Sequence, residues 1–474
     1  MKSTKIYFLL IIIFFISIKN LQPGASPVSP PALPPSEDIE NDTYHQKIKA
    51  MWVTPWDIDT KQKVLKIVEN AIDWGVTDLL VEVRYRGDAL YKPNKVYSDF
   101  QNSEPLSYIL RNNPDFDALE TFIHYTRDTH IKIHAWVTVN VITTRRLDTI
   151  QPTHLYYTHP HWLTYHSSGR RIHYDQFEGA FLDPGVPDVK NYLINIFADI
   201  VQNYDIDGFH LDYIRYPGNE YGHNPISLER FNRLSSHHSI ISFQRWKELQ
   251  LNELVQRIGE TIKSIKPNLL YTAAVFPNID TARNRYAQNW YEWLDNNFLD
   301  YTFIMAYQTR NNDFEQIVDK IPERFREKVV IGLRAWSDEG TYGVQNIIDK
   351  IKMIPRNYPG ICFFSYGGIV SRNYQSAVID YMVGETFDDI KDTQSRHLLD
   401  TVVYHDQHIY LNIASNHNIG VWVLYDVSDN VLAKGQFSDF DKAIMIPDKL
   451  LEDRYLVLKY EINGENFIKL IDLH

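Results

Sequence analysis

The segment DIDGFHLDYIRYPG (205–218) places a carboxylate, Asp212, at the end of a strand-like pattern. Apolar and small or polar side chains alternate here, with Phe209, Leu211 and Tyr213 on one face and Gly208, His210 and Asp212 on the other. Period-two alternation is typical of a strand that has one apolar face. A histidine and a carboxylate on the opposite face must be satisfied by buried partners or stay open to a ligand.

Two further strand-like segments carry polar side chains on one face. In DLLVEVRYR (78–86) the apolar face leaves Glu82 and Arg84 opposite it. In IKIHAWVTVN (131–140) one face carries His134, Trp136, Thr138 and Asn140. The simplest interpretation makes Glu82 and Arg84 a buried ion pair and makes His134 and His210 satisfied core histidines. Asp212, beside a loop, is the stronger functional candidate.

These segments belong to a regular succession of strand and helix patterns. The predicted strands are 48–56, 78–86, 131–140, one within 205–218, 269–276, 300–307, 328–336 and 360–368. Predicted helices between them include 61–75, 116–130, 187–204, 242–266 and 342–354. Such a succession predicts an α/β fold, a (β/α)8 TIM barrel over 47–390 that the first and last strands close. An open doubly wound sheet would require a Gly-rich phosphate turn after an early strand, and this sequence has none.

A barrel gives the polar strand faces a common direction. If the apolar faces meet the helices, the other faces point into the barrel, and Asp212 lies at its C-terminal end. The long polar segments 141–183 and 214–240 follow strands and should line that same end, where barrels bind ligands.

Composition and charge restrict the partners. The net charge of −12 over 474 residues provides no basic field for nucleic acid. The single cysteine, Cys362, rules out an intramolecular disulfide and a thiolate zinc cluster. We expect neither a cofactor nor a metal.

The chain begins with a segment typical of export. Lys2 and Lys5 precede the apolar run YFLLIIIFFISI, which suits a secretory signal better than a bilayer span. Residues 1–21 are therefore expected to be a signal peptide or an uncleaved anchor that associates with the membrane, and 22–46 a Pro-rich linker. We expect a secreted or cell-envelope protein, and the absence of disulfides fits a bacterial export route.

A different pattern follows the barrel. Short strand-like runs with polar turns predict a small all-β, sandwich-like module over 395–474. The run VLYDVSDNVLAKGQF…LEDRYLVLKYEINGENFIKLI resembles the C-terminal sorting module of type IX secretion substrates, although Asp453 stands where that pattern has Gly. The resemblance implies the type IX secretion machinery as a partner.

An ordered set of motifs indicates a family. The segments are MWVTPWDID, LLVEVRYRGDALY, IKIHAWVTVN, FLDPGVPDVKNYL, DGFHLDYIRYPG and IMAYQ, within about 47–385. Together they resemble the glycosyl-hydrolase-like family 10 barrel, whose members are secreted or envelope bacterial proteins that act on carbohydrate. The resemblance implies a glycoside hydrolase for a bacterial or plant oligo- or polysaccharide. One departure is Glu82, where the family pattern has Gln.

Glycoside hydrolysis normally requires two carboxyl groups that flank the scissile bond. DGFHLD is similar to the fourth-strand segment of α-amylase-type barrels, and this likeness makes Asp212 the nucleophile or charge stabiliser. No Glu ends the fifth strand, where such a barrel has its acid, so the acid stays open, with Glu82 as our choice. The other candidates are Asp88, Glu178, Asp183, Asp338 and Glu339.

Substrate binding is expected from side chains that converge at the C-terminal face. They are Trp52, Arg84, Asp88, His134, Trp136, Asn140, Asp183, His210, Arg215 and Tyr307. Rings would stack on sugar faces, and Arg and Asp would bind hydroxyl groups. Arg84 would also keep Asp212 ionised, since a nearby cation lowers a carboxyl pKa. Asp183 has a second interpretation, as a brace for the turn into helix 187–204.

Three alternatives stay open. A chitinase-type mechanism would need Glu at the position of Ile214. A barrel that binds glycan without cleaving it is compatible with the missing fifth-strand acid. A metal-dependent hydrolase would need paired histidines on one strand, and HAWVTVN offers only His134; the loop motif THPHW (158–162) is better explained as ligand-facing polarity.

Overall fold

The computed structural model describes residues 48–96, 99–237, 241–336, 342–376, 378, 399–405, 408–413, 419–436, 443–445, 455–462 and 465–473. The expectations for the N-terminal segments 1–46, and for Asp338, Glu339 and Asp453, lie outside these residues.

Eight parallel strands of the described chain form a closed barrel. They are β1 (Ile48–Val53), β2 (Asp78–Tyr85), β4 (Lys132–Thr138), β5 (Gly208–Asp212), β6 (Leu270–Val275), β7 (Tyr301–Ala306), β8 (Val329–Arg334) and β9 (Gly360–Phe364), while a short β3 (Asp88–Ala89) pairs with β2. The predicted closure is confirmed, because β1 pairs in parallel with both β2 and β9. The predicted (β/α)8 fold is therefore correct.

Helices follow the strands and surround them. The α-helices are α1 (Lys61–Asp73), α2 (Ala118–Thr126), α3 (Leu155–Thr158), α4 (Pro187–Asn203), α5 (Pro225–His237), α6 (Phe243–Ile265), α7 (Ile279–Tyr286), α8 (Trp290–Asp295), α9 (Asn311–Lys320), α10 (Glu323–Arg326), α11 (Val344–Met353) and α12 (Tyr366–Arg372). Short 3-10 turns occupy Pro55–Asp57, Tyr108–Leu110, Leu147–Thr149 and Pro160–Trp162. Side-chain N-caps from Thr60, Asp117 and Ser242 fix where α1, α2 and α6 begin.

The strand alternation separates two apolar layers. Phe209 on β5 packs against Phe197 of α4, so the apolar face of this strand meets the helices as predicted. The inner faces fill the barrel with a second cluster, made of Ala50, Trp52, Leu80, Trp136, Ala274, Phe303, Val330 and Cys362. The barrel is therefore packed below its C-terminal end, as barrels of this type are.

Two antiparallel sheets follow the barrel. One contains β10 (Leu399–His405), β11 (His408–Ile413) and β14 (Ala443–Met445), and the other contains β13 (Val431–Gln436), β12 (Ile419–Tyr425), β15 (Tyr455–Ile462) and β16 (Glu465–Asp472), in that order. The predicted all-β module is confirmed. Strand β16 contacts α1, where Lys469 forms ion pairs with Glu69 and Asp73.

Among the described residues, none of the helices has the length and hydrophobicity that crossing a bilayer requires.

Candidate active site

Asp212 and Glu82 meet in the upper interior of the barrel. Asp212 is the last residue of β5 and is 8% exposed, and Glu82 on β2 is 4% exposed. Strand β4 lies between them and pairs Trp136 with Glu82 and Thr138 with Asp212. Glu82 therefore lies one inward-facing step below Asp212, and the two carboxyls interact electrostatically.

The surroundings of the two carboxyls differ in charge. Burial raises the pKa of Glu82 well above its ordinary value, and the neighbouring Asp212 carboxylate raises it further, against the opposing effect of Arg86. Burial also raises the pKa of Asp212, but Arg215, the backbone N–H of Tyr213 and Arg86 all oppose this rise. Asp212 therefore ionises first, while Glu82 keeps its proton to higher pH.

Two guanidinium groups beside Asp212 flank one tyrosine ring. The guanidinium carbons of Arg86 and Arg215 lie 4.8 Å and 4.4 Å from the ring centre of Tyr213. Arg215 pairs with the Glu178 carboxylate at 3.2 Å, and Arg86 donates to the Glu178 carbonyl at 2.8 Å. Glu178 is exposed, whereas the other candidate acids that the structure describes, Glu82, Asp88 and Asp183, are buried.

The backbone at this cluster is strained. Arg86 and Tyr213 have φ values of 58° and 51°, in the left-handed region that side chains other than glycine rarely adopt. Strain of this kind persists where the surrounding contacts fix it, and it concentrates at functional sites. The sequence prediction missed Arg86. The signal for it was Gly87, whose own φ of 82° marks a turn directly after β2.

Partly exposed aromatic rings cluster near Asp212. Tyr307, Trp336 and Phe364 are partly exposed, with ring centres 5.2 Å apart for Tyr307 and Trp336 and 5.6 Å apart for Tyr307 and Phe364. The Asp212 carboxylate contributes to the raised pKa of Tyr307, after burial and Cys362. Tyr307 therefore lies near Asp212, and Trp336 and Phe364, which the sequence analysis did not name, pack against it.

The two predicted stacking tryptophans lie deeper. Trp52 is buried and donates its indole N–H to Nε2 of His210 at 3.2 Å. Trp136 is buried with its ring centre 6.3 Å from that of Phe364. The indole N–H of Trp136 makes no hydrogen bond of normal geometry. It nevertheless lies close enough to Asp212 to lower the pKa of that carboxyl. Both tryptophans belong to the apolar cluster inside the barrel and are not exposed to a ligand.

The two histidines His134 and His210 are buried inside the barrel. His210 binds Thr272 through Nδ1 at 2.8 Å and accepts from Trp52 through Nε2, and burial lowers its pKa well below the ordinary value. His134 binds Asp78, the first residue of β2, at 2.8 Å. Both ring nitrogens of His210 and Nε2 of His134 bind partners inside the barrel, while Nδ1 of His134 has no hydrogen-bond partner among the described residues.

The predicted direction of Arg84 is wrong. The pairing of β2 with β4 shifts register between Glu82 and Arg84, which turns Arg84 away from the barrel interior. Its fully buried guanidinium forms an ion pair with Glu104 and lies 5.8 Å from the ring centre of Phe197 on α4. The cations that oppose the raised pKa of Asp212 are Arg215 and Arg86.

Asp183 acts as a loop brace, the second of the two interpretations. Its fully buried carboxylate accepts hydrogen bonds from the backbone N–H groups of Gly185 and Asn224 and from the hydroxyl groups of Thr164 and Ser227. These bonds tie the turn before α4 to the loop after β5. A carboxylate with four donors in place has little capacity left for a substrate.

Asp88 and Asn140 are also buried. Asp88 lies 3.8 Å from Nε2 of His154, and burial and the nearby Glu104 raise its pKa well above the ordinary value. Asn140 donates to the carbonyl of Arg215 at 3.2 Å, and its own side-chain oxygen has no partner among the described residues. Asn140 therefore positions the loop that carries Arg215.

Within the described part of the chain, no group of three or more His, Cys, Asp or Glu side chains is arranged to hold a metal ion.

The sequence matches the family Glycosyl hydrolase-like 10 over residues 47–335. The chain belongs to this family. The match spans most of the barrel, including both carboxyls and both arginines of the site.

Two curated relatives are also glycosyl hydrolases by name. Glycosyl hydrolase YngK of Bacillus subtilis (strain 168) is 24% identical over 220 residues, which cover 46% of this chain and 40% of that protein. Glycosyl hydrolase DigH of Escherichia coli (strain K12) is 28% identical over 224 residues, which cover 44% of this chain and 46% of that protein. The chain therefore spans less than half the length of these relatives.

A solved structure supports the fold. The glycoside hydrolase domain of PgaB (BpsB) from Bordetella bronchiseptica superposes with a TM-score of 0.50 at 11% sequence identity, covering 71% of this chain and 99% of that domain. At this identity the likeness concerns the barrel fold alone. A glycosidase-type function for this Glycosyl hydrolase-like 10 protein rests on the family match.

Proposed function

We propose that the protein hydrolyses glycosidic bonds of a bacterial or plant oligo- or polysaccharide, with Glu82 and Asp212 as its carboxyl pair. The observation that carries this proposal is the pair itself, two buried carboxyls at the C-terminal end of a barrel with unequal charge surroundings. When the two carboxyls of a pair have different electrostatic surroundings, one of them stays protonated while the other is ionised, so the two can take different catalytic roles.

The raised pKa of Glu82 suits it to act as the general acid. Glu82 would give its proton to the glycosidic oxygen as the bond from that oxygen to the anomeric carbon breaks. The sugar that leaves then departs as a neutral alcohol.

Asp212 suits the complementary role. Its carboxylate, which Arg215 and Arg86 help to keep ionised, would stand beside the sugar ring as positive charge develops there. Water completes the hydrolysis, and NMR of the first products reports retention or inversion at the anomeric carbon.

The experiment is product analysis with a panel of bacterial and plant polysaccharides. We expect new reducing ends and shorter oligosaccharides from at least one of them, and none from the Asp212→Asn variant. If wild-type protein that binds a polysaccharide releases no product from it, the hydrolase proposal is wrong.

One observation favours a second candidate, a barrel that binds glycan without cleaving it. Glu82 stands where the family pattern has Gln. Because Gln cannot act as a general acid, the family pattern has no acid at this position. Product analysis of the wild type distinguishes the two candidates, and the Glu82→Gln variant then tests the acid: a loss of hydrolysis with unchanged binding identifies Glu82 as the acid. Unchanged hydrolysis would assign the acid to another carboxyl, such as Glu178.

The place of action is also a proposal. We infer that the protein works outside the inner membrane, since the apolar run near its start and the Pro-rich segment after it are typical of exported proteins. The β module, by its resemblance to type IX sorting modules, would engage that secretion machinery. Fractionation of cells that express the full chain, compared with a chain truncated before residue 395, tests both points.

A further inference from the structure

Trp56 differs from every other tryptophan of this protein. All 10 tryptophans lie among the described residues, and Trp56, which is 49% exposed, is the most exposed of them. An indole left in water forgoes the stabilisation that its burial would bring. A single exposed apolar side chain is common on protein surfaces, so the surroundings of Trp56 must decide its meaning.

Two tyrosines from other segments meet Trp56 at the C-terminal face. Trp56 follows the end of β1, Tyr85 is the last residue of β2, and Tyr108 begins the turn Tyr108–Leu110 in the loop after β2. The ring centre of Trp56 lies 5.5 Å from that of Tyr85 and 6.1 Å from that of Tyr108, at interplanar angles of 70° and 63°. Neither tyrosine stacks parallel to the indole.

The turn that carries Trp56 is held by several contacts. The Thr54 hydroxyl donates to the Asp57 carboxylate at 2.7 Å, and the backbone N–H of Asp57 donates to the Thr54 carbonyl at 3.1 Å. Lys63 of α1 donates to the Trp56 carbonyl at 3.0 Å. These contacts hold the backbone of the turn in place, which reduces the conformational freedom that is lost when a ligand stacks on the indole.

A continuous row of side chains connects this platform with the carboxyl pair. The guanidinium carbon of Arg86 lies 5.4 Å from the ring centre of Tyr85 and 4.8 Å from that of Tyr213. Tyr213 follows Asp212 directly, and Arg86 interacts with Glu82. The row therefore runs across the barrel end from the loop after β1 to the loop after β5.

We propose that Trp56, Tyr85 and Tyr108 form a distal subsite that stacks one sugar ring of a polymeric glycan held across this face. The flat apolar face of a sugar matches an exposed aromatic ring, and sugar hydroxyls match the Arg86 and Tyr85 groups that follow. The inference rests on the proposed function and extends it, because a subsite away from the carboxyl pair is useful only for a chain of several sugars.

The test measures binding apart from hydrolysis. Native gel electrophoresis in gels that contain carboxymethylcellulose, xylan, laminarin or glycol chitin is carried out with the Asp212→Asn protein, so that the polymer is not cut. We expect at least one polymer to retard the protein, and Trp56→Ala in the same background to weaken that retardation about tenfold in apparent dissociation constant, a loss of about 1.4 kcal/mol. Trp56→Phe, which keeps a ring, should keep most of the binding.

Val431→Ala is the matched control, since Val431 is an exposed apolar side chain on β13 of the C-terminal module. It should leave retardation unchanged. The subsite is wrong if no polymer retards the protein, if Trp56→Ala binds as its parent does, or if Trp56→Ala acts by changing the oligomeric state in size-exclusion chromatography.

Hydrolysis of the same polymers by protein with an intact Asp212 separates the two proposals. Trp56-dependent binding without any hydrolysis supports the subsite and overturns the hydrolase. Hydrolysis with the same KM and kcat in the Trp56→Ala variant supports the hydrolase and overturns the subsite.

Discussion

Asp212 and Glu82 are chemically similar side chains whose pKa values differ because of their burial and their position. Both carboxyls are buried, which raises the pKa of each, but the cations and the backbone N–H lie mainly around Asp212. The same chain therefore holds one carboxyl ready to ionise and another ready to keep its proton. This difference is electrostatic, and the predictions at residue scale follow from it.

Replacing Asp212 by Asn keeps the shape of the side chain and removes its charge. We expect turnover to fall at least several hundredfold, on the order of 4 kcal/mol at about 1.4 kcal/mol per tenfold. Folding and glycan binding should change little. Turnover, glycan binding and thermal melting are measured on this one variant. A lower Tm with parallel losses of binding and turnover would make Asp212 a structural brace. Full activity would exclude Asp212 from the chemistry.

Replacing Glu82 by Gln should make the protein more stable in alkaline solution. The folded-state pKa of Glu82 lies above its ordinary value of 4.5, so the folded chain holds this proton to higher pH than the unfolded chain does. The stability that the Glu82 carboxyl contributes is fully present below its ordinary pKa and is lost as the pH rises through its raised folded-state pKa. Gln cannot ionise and avoids that loss.

Melting curves of wild type and Glu82→Gln at pH 4 and pH 8 check this expectation. We expect equal Tm values at pH 4 and a higher Tm for Glu82→Gln at pH 8. A Tm difference of the same size at both values would show that packing, and not ionisation, separates the two proteins.

At the scale of elements, one irregularity in the strand pairing decides which side chains reach the site. The register shift between β2 and β4 sends Arg84 toward α4 and leaves the following turn to bring Arg86 to the carboxyls. Arg84 then pairs with Glu104 of the loop after β2, and both side chains are fully buried. The pair therefore anchors this loop to the barrel wall.

Replacing Arg84 by Met should destabilise the protein by about 3–5 kcal/mol, because it leaves the buried Glu104 carboxylate without its cation. Urea unfolding measures the change. The matched control is Arg146→Met, which breaks an exposed ion pair with Asp148 and should leave the unfolding free energy almost unchanged, because solvent screens such a pair. Equal effects from the two variants would contradict the anchoring role of Arg84.

At the scale of the whole molecule, the C-terminal sheets are attached to the outside of the barrel. Lys469 of β16 binds Glu69 and Asp73 of α1, and Asp429 in the turn between β12 and β13 binds Lys61 and Tyr125. Barrel and sheets lie in one compact unit. The module therefore braces α1 and α2 on the helical side of the barrel.

Replacing Lys469 by Ala should lower the unfolding free energy by about 1–3 kcal/mol, since it leaves Glu69 and Asp73 close together on a half-buried surface. Chemical unfolding followed by tryptophan fluorescence measures the loss. Lys320→Ala, at an exposed lysine of α9, is the control and should have almost no effect. If both variants unfold like wild type, the ion pairs of β16 do not hold the module in place.

Much of the architecture was readable from the sequence. Strand and helix periodicity predicted the eight barrel strands, their closure and the β module, because burial against helices imposes those patterns locally. The alternation in 205–213 placed Asp212 at a strand end, and the structure confirms that position. Glu82 also faces inward as its segment predicts.

The contacts that complete the site depended on the tertiary structure. Alternation assigns the face of a side chain only while the strand pairing stays in register, so the bulge that turns Arg84 outward could not be read from 78–86. Whether His210 or Asp183 is free depends on donors and acceptors far away in the chain, such as Trp52 for His210 and Ser227 for Asp183. A sequence fixes local periodicity, but partners that meet through folding decide which polar side chains are satisfied and which remain for a ligand.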